Sequence, residues 1–515
     1  VFTEQLNFSN LLTAGRETRK ATEKLHKIFI SQGVAMRLLA FIITIWITCL
    51  CYTTAAEGRT RAHAVSVTGP TALAANINAA IHKISPYTRV GISIKSMKYG
   101  DSLYVKDDKS LFVPASTLKV FTAEAALLYL GSNFRFSTRF VSDTNNISGG
   151  TLYGNLYLVN SGDPSLTFDD LSELIASLKA HQINQIAGNV YIDNTAYDQV
   201  TTGPGWLWND RRFCYAAPIS ASIINHNCTS YRPKYSSSIT EALSETQGTH
   251  DSTRGAKTCF MKMDDGDGGT LTINDCEASS SGGKKHYTYA GGSVINDVIL
   301  YDKSLLQDLF ARYGISVRGN IGAGKAAVKN TELARHESKP LHDLITEMLK
   351  KSDNIIAGSL FKKIGEMYTH RPGTWESGGT AVARILSQQA ALDIWRISLM
   401  DGSGLSRYNQ VTPAQMLKVL DFTYHNDATN YNFISALPIA GIDGTLKRRM
   451  KNIAWKVRAK TGTMQGVVSL AGYAMSADKE PLAFVIMING RNGSVWQYRE
   501  LEDRIMQYLT HYSRT

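Results

Sequence analysis

The chain has 515 residues, 43% of them hydrophobic, and its 55 Lys plus Arg against 44 Asp plus Glu give a formal net charge of +11. That hydrophobic content is ordinary for a globular protein, and the length allows two or three domains. The positive balance fits an anionic partner such as nucleic acid, lipid head groups or cell-wall polymer, but no run interleaves arginines with aromatics as a nucleic-acid groove would, so no nucleic-acid partner is expected. The basic cluster "LKRRMKNIAWKVRAK" reads as a turn entering a strand.

Residues 1–35 contain no methionine and precede a string, "MRLLAFIITIWITCLCYTTAAEG" from Met36, with a basic start, an apolar run from Leu38 to Leu50 and then small residues. This is the layout of an export signal, with cleavage expected after Ala56, and the apolar run is short for a bilayer span. Residues 1–35 are accordingly set outside the fold and 36–56 are read as a signal peptide. A retained anchor and peripheral membrane association stay open.

The first chemical signal is "PASTLKVFTAEAALLYL", residues 114–130. Pro114 suits a first helical turn, and Thr117 to Leu130 has helix-forming composition with apolar residues at steps of three and four. On a helix, Ser116 and Lys119 share a face, so a neutral lysine there can take the proton from a serine nucleophile. Three other Ser-x-x-Lys pairs, Ser281/Lys284, Ser359/Lys362 and Ser476/Lys479, lie in a loop, inside a helical run and in a turn. Ser116 alone stands at a helix start.

From Phe140 to about Tyr287 the chain reads as an insertion: short alternating strands, one amphipathic helix in "DDLSELIASLKAHQIN", and beyond about residue 205 a Ser-, Thr-, Gly- and Asp-rich stretch without helical periodicity. This stretch holds Cys214, Cys228, Cys259 and Cys276. An even number in an exported chain predicts two disulfides with three possible pairings, and without a close C-x-x-C pair zinc is not expected. Helical patterns resume at "SVINDVILYDKSLLQDLFARYG" and "PLHDLITEMLKKSDNIIAGSLFKKIG". "GNIGAGKA", Gly319 to Ala326, has the glycines and lysine of a phosphate loop but Ala326 where a Ser or Thr would hold magnesium, so it reads as a strand and turn. Ser403 in "MDGSGL" has Asp401 in place of the first glycine of a nucleophile elbow.

Two more strings complete the pattern: Ser352-Asp353-Asn354 in "KKSDNIIAG" and Lys460-Thr461-Gly462 in "RAKTGTMQGVVSLAGYAM". Each alone is ordinary turn or strand chemistry. In this order, after a Ser-x-x-Lys at a helix start, they form the signature of serine enzymes that bind penicillin. With "SGDPSL", "PGWLWND", "YAAPISASIINHN", "DGSGLSRYNQVTP" and "LPIAGIDGTLKRR", and a long insertion between the first two motifs, the sequence from about Ala74 onward resembles the class C low-molecular-mass penicillin-binding proteins, D-alanyl-D-alanine carboxypeptidases and endopeptidases of the bacterial periplasm.

The resemblance implies an α+β fold of the serine β-lactamase/transpeptidase type, an antiparallel sheet flanked by helices, formed by residues 57–139 and 288–515, with inserted β-rich domains at 140–287. It implies that Ser116 attacks the carbonyl between two D-alanines, Lys119 acts as base, and Ser352 passes the proton to the leaving amine. Asn354 would orient the peptide, Lys460 would supply positive potential, Thr461 and Thr463 around Gly462 would hold the terminal carboxylate, and the N–H groups of Ser116 and Thr463 would receive the oxyanion. No cofactor or metal is implied, and the expected partners are peptidoglycan peptides and β-lactam antibiotics. Two alternatives share these motifs: a serine β-lactamase, for which no E-x-x-L-N loop is found, and a non-catalytic peptidoglycan-binding scaffold.

Overall fold

The computed structural model describes residues 67–228, two strands at 276–281 and 284–289, and 294–515. The expected export signal, the segment before it and Cys259 lie outside the described residues. Helix α1 (Gly69–Ile81) leads into strands β1 (Arg89–Ser96) and β2 (Ser102–Lys106), and helix α2 (Lys119–Leu130) follows. The chain then leaves for a second body: β3 (Ser137–Ser142), β4 (Leu156–Val159), α3 (Phe168–Ala180), β5 (Val190–Asp193), α4 (Val298–Arg312), β6 (Ile321–Ala323) and β7 (Thr331–Glu337). It returns with helices α5 (Leu341–Lys351), α6 (Asn354–Thr369), α7 (Trp375–Ala390), α8 (Pro413–His425) and α9 (Asn430–Ala436). Strands β8 (Val457–Met464), β9 (Val467–Met475) and β10 (Pro481–Asn489) and helix α10 (Val495–Thr510) finish it.

The first body is a five-stranded antiparallel sheet of order β8-β9-β10-β1-β2. Because successive side chains on a strand point to opposite faces, β10 divides its residues between two cores. Leu482, Phe484, Ile486 and Ile488 join the core under α1 and α10, while Ala483, Val485 and Met487 join the one under α2, α5, α6 and α8. Helices thus cover both faces, which is why β10 reads as a continuous apolar run. The expected architecture is the observed one.

The second body is a five-stranded sheet of order β6-β5-β4-β3-β7 with a small four-stranded sheet beside it. Its boundary differs from the expected one. The insertion does not end at Tyr287, because α4 buries Leu305, Leu306, Leu309 and Phe310 against β3–β6, and β7 pairs antiparallel with β3. The strands and helices of the second core thus extend from Ser137 to Glu337 along the chain, while Trp206, Ala216, Ile219 and Ile223 between them join the core under α2. Helical periodicity reveals that α4 has an apolar stripe but not which sheet receives it. The "SSSGGKKH" segment, read as a loop, falls on the paired strands 276–281 and 284–289. Gly319 to Ala326 forms β6 and its turn, as expected.

Cys214 and Cys228 form a disulfide. The expectation of two bridges is met by one among the described residues.

Candidate active site

Pro114 caps a 3-10 turn, Ala115–Leu118, and the α-helix begins only at Lys119. The turn, rather than the expected α-helical start, aligns Ser116 with Lys119, since residues three apart eclipse one another in 3-10 geometry. Lys119 Nζ donates to Ser116 Oγ at 3.1 Å. Ala115 sits in the left-handed region at φ 49°, a conformation costing about 1–3 kcal/mol for a residue with a side chain. Two glycines let the chain close on this turn. A Cβ on Gly404 (φ +82°) would lie 1.9 Å from the Ala115 carbonyl, and one on Gly462 would lie 3.0 Å from the Ser116 nitrogen.

Lys119 is wholly buried, and its Nζ also donates to Asn354 Oδ1 and to the Ser403 carbonyl, both at 2.7 Å. Burial pulls its pKa down to about 7, against the opposing pull of Asp401 and Asp353. Asp401, itself buried, fixes the loop that carries the Ser403 carbonyl: it accepts from the Ser403 N–H at 3.2 Å, Trp206 Nε1 at 2.7 Å, the Gly404 N–H at 2.8 Å, the Ser406 N–H at 2.9 Å and Asn409 Nδ2 at 2.8 Å.

Ser352 and Asn354 stand where α5 breaks into α6. Ser352 closes α5 in the left-handed conformation (φ 63°), and Asp353 caps α6 by accepting from the Ile356 N–H. Asn354 Nδ2 donates to the Tyr215 carbonyl at 2.9 Å. Its amide is therefore committed on both sides, to Lys119 and to Tyr215, so it orders the lysine.

The third motif lies on β8, an edge strand. Lys460 is buried and donates to Ser352 Oγ at 2.8 Å and to the Thr461 carbonyl at 2.7 Å. Burial, and then repulsion by Lys119, hold it well below the ordinary lysine range. Thr461 Oγ1 donates to Thr445 Oγ1 at 2.8 Å, and Thr463 Oγ1, on the exposed side, accepts from Arg499 Nη2 at 3.3 Å.

All eight expected residues, Ser116, Lys119, Ser352, Asn354, Lys460, Thr461, Gly462 and Thr463, fall in one neighbourhood. Sequence reasoning missed Asp401, the Ser403 carbonyl, Tyr215, Thr445 and Arg499. The first four lie in strings that carried the family resemblance. Arg499 has no motif signal. Among the described residues no group of acidic, His and Cys side chains has metal-site geometry.

A serine beside a buried, pKa-depressed lysine, with a second Ser–Lys pair across the cleft and an antiparallel sheet backed by helices, defines a low-molecular-mass penicillin-binding serine peptidase. The chain belongs to the D-Ala-D-Ala carboxypeptidase 3 (S13) family, whose profile matches residues 73–512. It is 32% identical over 442 residues to the D-alanyl-D-alanine carboxypeptidase DacB of Haemophilus influenzae, covering 83% of this chain and 90% of that one. It is 30% identical over 430 residues to the D-alanyl-D-alanine carboxypeptidase of Actinomadura sp., covering 78% of each. The crystal structure of penicillin binding protein 4 (dacB) from Haemophilus influenzae superposes with a TM-score of 0.71 at 29% identity, covering 84% of this chain and 99% of that one. The same protein in complex with a β-lactam gives 0.66 at 28% identity, covering 84% and 98%.

Proposed function

We propose that Ser116 is the nucleophile and Lys119 the base of a D-alanyl-D-alanine carboxypeptidase and endopeptidase acting on peptidoglycan stem peptides and cross-links. The observation that carries this reading is the wholly buried Lys119 amine, 3.1 Å from Ser116 Oγ and with its pKa lowered to about 7. Such a group is substantially neutral at physiological pH: its two N–H bonds then serve Asn354 Oδ1 and the Ser403 carbonyl, and its lone pair accepts the Ser116 proton as Oγ bonds to the carbonyl carbon. Ser352, tied to Lys460, returns a proton to the leaving amine as the C–N bond breaks. Water then adds to the acyl-enzyme, releasing the shortened peptide and freeing Ser116.

Two ammonium groups cannot comfortably share this buried site. A peptide carboxylate arriving beside Thr461 and Thr463 favours the proton on Lys460 and leaves Lys119 neutral, so substrate binding itself sets the protonation pattern. The N–H groups of Ser116 and Thr463 receive the oxyanion, at about 3 kcal/mol per donor. In this reading β-lactams acylate Ser116 by mimicking the D-Ala-D-Ala unit, and the Met36 signal delivers the enzyme to the periplasm. Among the described residues no helix is long and apolar enough to cross a membrane.

The test is labelling with fluorescent penicillin, wild type beside Ser116→Ala, followed by digestion of muropeptides. Covalent label and release of D-alanine or cleaved cross-links are expected only with the wild type. Label that persists in the variant moves the nucleophile elsewhere. Rapid turnover of penicillin would favour the β-lactamase alternative.

A further inference from the structure

The loop closed by the Cys214–Cys228 disulfide meets the Ser352–Asn354 turn at both of its ends. Next to Cys214, the Tyr215 carbonyl accepts from Asn354 Nδ2 at 2.9 Å. Two residues before Cys228, His226 Nδ1 lies 3.5 Å from Asp353 Oδ2, with both side chains largely buried. Asn225, His226 and Asn227 all adopt left-handed φ values of 49°, 60° and 49°, a sharp reversal at the end that carries His226. The middle of the loop is tied down where the Ala221 carbonyl accepts from the Gly162 N–H, and the His226 end is anchored as well, the Asn225 N–H donating to the Leu166 carbonyl and the Asn227 carbonyl accepting from the Ile295 N–H. The bridge thus joins the two ends that touch the motif, and Asn354 passes their placement to Lys119 at 2.7 Å.

We propose that the disulfide-closed loop 214–228 is a brace for the catalytic cleft, in which the Tyr215 carbonyl and His226 are positioning groups that hold Asn354 and Asp353, and through them the Lys119 amine. The inference rests on the assignment of Lys119 as base. No residue of the loop is required to touch substrate. Opening the bridge uncouples the Tyr215 end from the anchored His226 end, so Asn354 loses its fixed partner and water reaches Lys119. Lys119 is faced by Asp401, Asp353 and Lys460, and His226 by Asp353 and Glu347. Hydration relieves the burial that depresses Lys119, so its pKa rises and acylation shifts to higher pH.

The experiment measures the acylation rate by fluorescent penicillin as a function of pH for the folded chain before and after treatment with a dithiol reagent. The reagent supplies two electrons and two protons, opening the S–S bond into two thiols while closing to a disulfide itself. Acylation is expected to slow roughly 10- to 100-fold, with the rising limb displaced to higher pH and both restored on reoxidation. A Cys214→Ser/Cys228→Ser variant should match the reduced protein. An unchanged rate and limb in a folded, bridge-free protein overturns the brace. Should removal of the bridge unfold the chain, His226→Ala decides with the bridge intact: a limb displaced upward at an unaltered denaturation midpoint supports the proposal, and an unmoved limb overturns it. Oxidised wild type that takes no label while Ser116→Ala behaves identically would instead overturn the assignment of function.

Discussion

Lys119 gains its chemistry from being enclosed. A lysine amine ordinarily holds its proton far above neutrality, and here burial brings it to about 7 while Asp401 and Asp353 limit the fall. If neutral Lys119 is the base, acylation by penicillin rises with pH through a midpoint near 7, and Lys119→Met, which keeps the packing but not the amine, lowers the rate by roughly 100-fold or more. Asp401 provides a sharper test because it acts twice. Asp401→Asn removes a charge that raises the Lys119 pKa, so the rising limb moves to lower pH. It also places an amide NH2 among N–H donors, which costs about 1–3 kcal/mol of stability. A pH–rate profile and a urea titration read the two effects separately, and a limb that moved upward would contradict the electrostatic account.

Elements matter here through how closely they approach. Strand β8 can lie against the Ser116 turn only because residue 462 has no side chain, an added Cβ falling 2.9 Å from the Pro114 carbonyl and 2.2 Å from Ser469 Oγ. Gly462→Val should leave a folded protein with an unchanged circular dichroism spectrum but acylate roughly 100-fold more slowly, since misplacement of about 1 Å suffices for that. The second body is welded to α6 by a different contact. Lys362 Nζ, fully buried, donates at 2.7 Å to Asp198 and to the Val200 carbonyl. Lys362→Met leaves the partly exposed Asp198 without its cation. The expected loss is about 3 kcal/mol, read as a lower urea midpoint, because the aspartate and carbonyl lose a desolvated partner together.

The whole molecule stores several carboxyl groups in its interior, and they set how its stability responds to pH. Glu124 lies on the buried α2, accepting at 2.7 Å from Thr429, and burial raises its pKa to about 7. Asp302 and Glu502 are pushed to about 7 by burial as well. A carboxyl with a raised folded-state pKa binds protons more tightly in the folded chain, so its contribution is fully present at acid pH and is lost as pH rises through about 7. For Glu124 that loss amounts to about 3 kcal/mol between its ordinary range and neutrality. Glu124→Gln, still able to accept from Thr429, should therefore flatten the decline in stability between acid and neutral pH, measured by denaturation at both. An unaltered slope would show that Glu124 is hydrated.

How much of this was legible beforehand depends on the range of the interaction. Ser116/Lys119, Ser352/Asn354 and Lys460–Thr463 each lie within a few residues, so the turn and strand chemistry of their own strings marks them. The 3-10 turn at Ala115–Leu118 was read as α-helix because propensity does not register the pressure of Gly404 and Gly462 on that turn. The sequence does not mark where the second core ends, because α4 chose its sheet by tertiary packing. Local sequence determined which residues carry reactive groups and which segments are apolar enough to be interior. Only the folded chain decided that Lys119 would be dry, that Asp401 and Asn354 would surround it, and that Tyr215 would hold Asn354. Desolvation and hydrogen-bond geometry are properties of what lies nearby in space, and segments hundreds of residues apart become neighbours only when the cores close.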